Sequence, residues 1–118
     1  MSYVDGFIVP VPKKKIGAYR SMAKKASKVW REHGALEYRE CVGDDLNIKI
    51  GIPFPKRLKL KPGETAVFSW IVYKSRAHRD AVMKKVMKDP IFKDWDPDKM
   101  PFDGMRMIYG GFKILVAA

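Results

Sequence analysis

The stretch Arg76-Ala77-His78-Arg79-Asp80 puts two guanidiniums, an imidazole and a carboxylate within five positions. His78 is the acid–base candidate, because an unperturbed imidazole titrates close to physiological pH. Asp80 stands beside it as the second catalytic candidate, and Arg76 and Arg79 as candidates for holding a ligand. On a helix Arg76 and Asp80 lie four apart and can pair on one face, while His78 shares another with Val82. The plainer account of the same residues is a helix surface with a cap and ion pairs. Catalytic pairs need a convergence in space that spacing alone does not supply.

Three further places invite a similar comparison. Asp103 and Arg106 flank Gly104 ahead of a final apolar run, where they could pair across the turn or bind an anionic ligand. A turn aspartate more commonly serves the backbone. Trp70 is a ligand-binding candidate, although large aromatics on central strands, Trp70 and Tyr109 alike, usually belong to a core or a dimer interface. Asp44-Asp45 after a strand reads as turn chemistry before it reads as a base or a metal ligand. Two histidines and one cysteine, none at zinc-ligand spacing, leave no dedicated metal site. Gly110-Gly111 matches no phosphate-binding pattern, and no motif names a cofactor. Cys41 has no activating neighbour and reads as a buried, inert thiol.

Those residues have to be positioned by elements. The chain is organised around Thr65–Tyr73, TAVFSWIVY, whose β-branched and aromatic residues suit a pleated surface. Ala66, Phe68, Trp70 and Val72 fall on one face, and Val67, Ser69, Ile71 and Tyr73 on the other. Both faces are mainly apolar, which predicts a central strand covered on two sides. Tyr3–Val9 is a first strand, ended by Pro10 and Pro12; Asp5 within it is costly if buried unpaired. Ile16, Tyr19, Met22, Ala23, Ala26, Val29, Trp30 and His33 recur at helical spacing, with a basic outer side and a stop at Gly34. Ala35–Val42 alternates as a half-polar strand near an edge.

Leu46–Glu64 carries three prolines and the basic run Lys56–Lys61, and predicts a long connection with some strand-like pairing. Ser75 caps a second helix running to about Lys88, with Ala77, Ala81, Val82 and Val86 as its buried stripe and Met83 as a further candidate for it. Ile91–Pro101 is a loop with one turn of helix at Phe92–Trp95. Met105–Val116 is the last strand, with a bulge or a close backbone approach at Gly110-Gly111.

The order β-α-β-β-α-β is the split pattern of ferredoxin-like α+β domains: a four-stranded antiparallel sheet with two helices on one face. Residues 1–118 read as one such domain. The helix-free face still carries large apolar side chains, more than a monomer usually exposes. A second copy packed sheet to sheet covers it, which predicts a homodimer of α+β-barrel type.

Aromatics at 12% exclude a disordered chain, and no apolar run is long enough to span a membrane. The N-terminal MSYVDGFIVPVP lacks the layout of a signal peptide, and the single cysteine fits a reducing cytoplasm. Net charge is +11, which suits a solvated surface or an anionic partner.

The segments YVDGF at Tyr3–Phe7, WREHGALEYRECVGDD at Trp30–Asp45, FSWIVYKSRAHRDAV at Phe68–Val82 and MPFDGMRMIYGGF at Met100–Phe112 resemble the YbaA-like family of small bacterial proteins. The resemblance spans nearly the whole chain and implies the dimeric α+β-barrel superfamily. Departures concentrate in Leu46–Leu60 and in the heavy lysine content. It implies no catalytic residues; monooxygenases and haem enzymes elsewhere in the superfamily are analogy of fold only.

The expectation is a cytoplasmic homodimer that binds a small molecule, or carries a minor activity, between helices and sheet. Its rival is an electrostatic RNA- or DNA-binding protein using the basic first helix and the Lys56–Lys61 loop. The aromatic RNA-recognition strand that would accompany such binding is missing.

Overall fold

The computed structural model describes residues 2–93 and 96–118. One antiparallel sheet runs in the order β2-β3-β1-β4, from β1 Tyr3–Pro12, β2 Glu37–Val42, β3 Glu64–Tyr73 and β4 Ile108–Lys113. The helices are α1 Ile16–Glu32, the short α2 Phe54–Leu58 and α3 Arg76–Met87. Leaving α2 aside, this is the βαββαβ ferredoxin-like order. β3, apolar on both faces, lies inside the sheet; the half-polar β2 is an edge.

α1 and α3 cover the face formed by alternate residues of β1 and β3. Val29 of α1 and Val82 and Val86 of α3 pack with Tyr3, Ile71 and Tyr73. Tyr19 and Ala23 pack with Val9, Val11 and Val67. The small Ala23 and Ala26 on the buried stripe of α1 let the helix lie close to the sheet, while its lysines face outward. Gly34 follows the C-cap with a φ of 115°, a left-handed conformation that a Cβ would strain. His33 Nε2 meets the Asp89 carboxylate at 2.9 Å and ties the ends of α1 and α3 together.

Several expectations need correcting. β1 does not stop at Pro10 but runs through Pro12. Lys13 N–H donates to the Gly63 carbonyl at 2.8 Å on the β3 side, and alternate residues point the same way. Positions 10 and 12 therefore face the β4 side, where pairing has already ended at Ile8–Ile108, and no donor is lost. β2 starts at Glu37, and β4 covers only Ile108–Lys113 because Gly104–Arg106 winds as a 3-10 turn. Ala77 and Ala81 are exposed; the inward stripe of α3 is His78, Arg79, Val82, Met83 and Val86, one position round the helix. Cys41 is exposed, since it points away from the helices on an edge strand. Pro90–Phe92 forms a 3-10 turn, and the remainder of the turn expected at Phe92–Trp95 lies outside the described residues.

The β1–β4 register is continuous from Ile8–Ile108 to Tyr3–Lys113, so the paired glycines make no bulge. Gly111 instead permits a close approach: a Cβ there would run into the Tyr3 ring. Gly111→Ala is expected to displace that ring and cost about 1–3 kcal/mol, read by chemical denaturation.

Residues 46–63 form no ladder. They hold α2, whose Leu58 packs on Ile8 and Ala66, with Leu46 and Leu60 beside it. The segment therefore closes one end of the sheet face that α1 and α3 leave open. Arg106 fastens it, reaching Glu64 at 2.8 and 3.0 Å and the Leu58 and Lys59 carbonyls at 3.3 and 2.9 Å. The guanidinium holds the Glu64 carboxyl below its usual pKa.

Candidate functional site

All five tyrosines of the chain enter the layer between helices and sheet. Tyr3, Tyr38, Tyr73 and Tyr109 come from the helix-facing positions of four strands, and Tyr19 from α1. Two carboxylates, Asp5 and Glu40, share the layer and create two polar centres.

Asp5 sits on β1 at 0% exposure, opposite Gly111 of β4. Arg79 of α3 approaches it, with Nε 3.8 Å from Oδ1, and also contacts Asp80 at 3.3 Å. Arg79 donates to the Tyr3 hydroxyl at 3.1 Å, and its guanidinium carbon lies 5.1 Å from that ring's centroid, a cation–π distance. The Tyr73 and Tyr109 hydroxyls are near enough to favour the carboxylate, yet neither Asp5 oxygen has a donor in hydrogen-bond geometry. Arg79 Nε, despite its two ion-pair contacts, and Trp30 Nε1 are buried and likewise without an acceptor in hydrogen-bond geometry. Burial pushes the Asp5 carboxyl above its usual pKa, and Arg79 opposes that shift. Such a carboxyl can hold or release a proton under mild change of its surroundings.

Glu40 is the floor of the second centre. Tyr19 donates to one of its oxygens at 2.7 Å and Tyr38 to the other at 2.8 Å. Burial and the adjacent carboxylate raise both phenol pKa values. Above this clamp a groove of about 490 Å3 opens between α1 and the β2–β3 side of the sheet. Ile16, Ala23, Val42 and Val67 give it apolar walls, and Arg20 and Lys24 stand at its mouth.

The opposite sheet face is different in kind. Val4, Phe68, Trp70, Val72, Ile108 and Phe112 line a shallow apolar depression of about 580 Å3 there. The Phe112 ring lies across Gly6 and Gly110, where a Cβ would sit 3.6–3.7 Å from it. Ile48, Ile50, Ile52 and Phe54, in the segment leading into α2, are exposed as well.

The residues singled out from sequence scatter. Arg79 reaches the Asp5 centre, and Asp80 stays exposed and pairs with Arg79 from outside. His78 is held at the start of α3: its backbone N–H donates to the Ser75 cap at 3.1 Å, and its Nδ1 accepts from Lys74 N–H at 3.0 Å. The ion pair on α3 forms between Arg79 and Asp80, not Arg76 and Asp80, and Arg76 is exposed. Asp103 accepts from Met105 N–H at 3.0 Å, and Arg106 pairs with Glu64 instead of across the turn. Trp70 lies on the helix-free face, 5.7 Å from Phe68. Asp5 and Glu40 lie outside the residues singled out from sequence. The signal for each was an acid on an otherwise apolar strand face. Among the described residues no group of three or more His, Cys, Asp or Glu gathers to hold a metal ion, and no helix is long and apolar enough to cross a membrane.

A family model described as "Protein of unknown function (DUF1428)" matches residues 2–104. The chain is 47% identical over 116 residues to the "Uncharacterized protein YbaA" of Escherichia coli K12 and to that of Shigella flexneri, covering 98% of each chain. Its fold is similar to the crystal structure of a dimeric ferredoxin-like protein from an uncultured marine organism. That match has a TM-score of 0.53 at 13% identity, and covers 100% of this chain and 98% of the other.

Proposed function

The chain belongs to the DUF1428 family, and from its geometry we propose that it is a homodimeric small-molecule-binding protein. Two copies join through their helix-free sheet faces, and each binds its ligand between helices and sheet. The open apolar sheet face carries this reading. Phe68, Ile108 and Phe112 are exposed on a face that α2 closes only at one end. A two-fold contact presents the same patch to itself, so a surface that is apolar throughout is self-complementary. The dimeric state of the ferredoxin-like neighbour supports the same arrangement.

The groove over Glu40 faces away from that contact and stays open to solvent in the pair. Arg79, the sequence candidate that reaches inward to the buried polar side chains, positions the Asp5 carboxyl for any proton transfer the layer performs. Nucleic-acid binding draws less support. The lysines of α1 and the Lys56–Lys61 tract lie on opposite sides of the sheet, so they do not make one strip along a phosphate backbone.

Light scattering over a dilution series tests the assembly. A mass of two 13.6 kDa chains at micromolar concentration is the expected result, and a single-chain mass throughout overturns it.

A further inference from the structure

We infer that the groove over the Tyr19–Glu40–Tyr38 clamp binds an amphipathic organic anion: an apolar body of drug-like size carrying one carboxylate, sulfonate or phosphate. This deepens the proposed ligand layer and rests on it. The groove's volume of about 490 Å3 suits a small organic molecule. Glu40, the acid in its lining, already has a phenol donor on each oxygen, so it makes little further demand on a ligand. Arg20 and Lys24 at the mouth are the charges left to be matched, and neither makes a salt bridge among the described residues. They are four apart on α1, on the same side as Ile16 and Ala23, so an anion held by both leaves its body over the apolar wall. The two tyrosines are fixed by the shared carboxylate before anything binds, which lowers the cost of ordering the site.

Two fluorescent probes with the same aromatic body separate the possibilities: 8-anilinonaphthalene-1-sulfonate and its uncharged counterpart N-phenyl-1-naphthylamine. Each is titrated against the intact protein, the double variant Arg20→Glu/Lys24→Glu, and Val42→Trp, which obstructs the groove. All three positions are exposed, and an unchanged far-UV circular dichroism spectrum checks that each variant keeps the fold. The expected result is a preference for the sulfonate of about tenfold, the effect of one charge-assisted contact. Charge reversal abolishes that preference, and Val42→Trp weakens both probes. Equal binding of the two probes overturns the anion inference while leaving a neutral ligand in the groove, and a preference that survives charge reversal overturns it by removing Arg20 and Lys24 as the anion's partners. Binding of both probes that is indifferent to Val42→Trp, or no binding of either, overturns the groove as a ligand site and this inference with it.

Discussion

Phe112→Asp is expected to turn the two-chain species into a folded single chain of 13.6 kDa, with unchanged far-UV circular dichroism. Phe112 is 60% exposed in one subunit, on the edge strand β4 opposite Val4. In the single chain a carboxylate there meets water and costs the fold little. In the proposed pair it is buried against apolar side chains with no cation, and two-fold symmetry places it there twice. An unpaired buried charge costs several kcal/mol, so the dissociation constant rises by roughly a thousandfold or more. Lys113→Asp is the control. Its side chain is exposed and belongs to the helix-facing side, so the variant keeps the two-chain mass. A Phe112→Asp protein that still runs as two chains would place the contact elsewhere.

Arg79→Leu is expected to destabilise the fold by about 3 kcal/mol at pH 7, the low end of what removing one partner from a buried pair costs. Its side chain is 19% exposed and that of Asp5 1%. The loss should depend on pH in a definite direction. Asp5 has a folded-state pKa raised by burial, so its neutral form is the one the fold prefers. The stability tied to that preference is fully present below the unfolded pKa and is lost as pH rises through the folded one. Arg79 offsets that loss at neutral pH by favouring the carboxylate. Without it the folded pKa climbs further, so the variant loses more at pH 7 than near pH 4, on the side where the protonated form gains. Urea denaturation at the two pH values reads the difference. The double variant Asp5→Asn/Arg79→Leu should recover part of the loss and flatten its pH dependence. An equal loss at both pH values would mean that Arg79 contributes packing alone.

The two centres differ in how readily they could be read beforehand. Arg79 stood out because it lies in a run of charged residues on a predicted helix. Asp5, its partner, is 74 positions earlier, and the sequence marked it only as an acid in an apolar strand. Strand alternation put Glu40 on the same face as Tyr38 and Val42, but nothing in its neighbourhood pointed to Tyr19 on α1. Arg106 has an aspartate three residues away and chooses Glu64, 42 positions upstream, because the turn leaves Asp103 serving a backbone N–H.

Read along the chain, the residues are enough for the element order, the central place of β3, the edge place of β2, the Ser75 cap, the stop at Gly34 and the helix-free apolar face. These follow from periodicity and from local backbone preferences, which act over a few residues and are written in neighbouring positions. The continuation of β1 through two prolines is a matter of packing in three dimensions, because it depends on where β4 stops pairing. So are the folding of residues 46–63 over the open sheet face and the meeting of Arg79, Tyr3 and Asp5. Contacts of that kind depend on the packing of whole elements against one another, and side chains far apart in the chain become partners only once the sheet and its helices have fixed the distances between them.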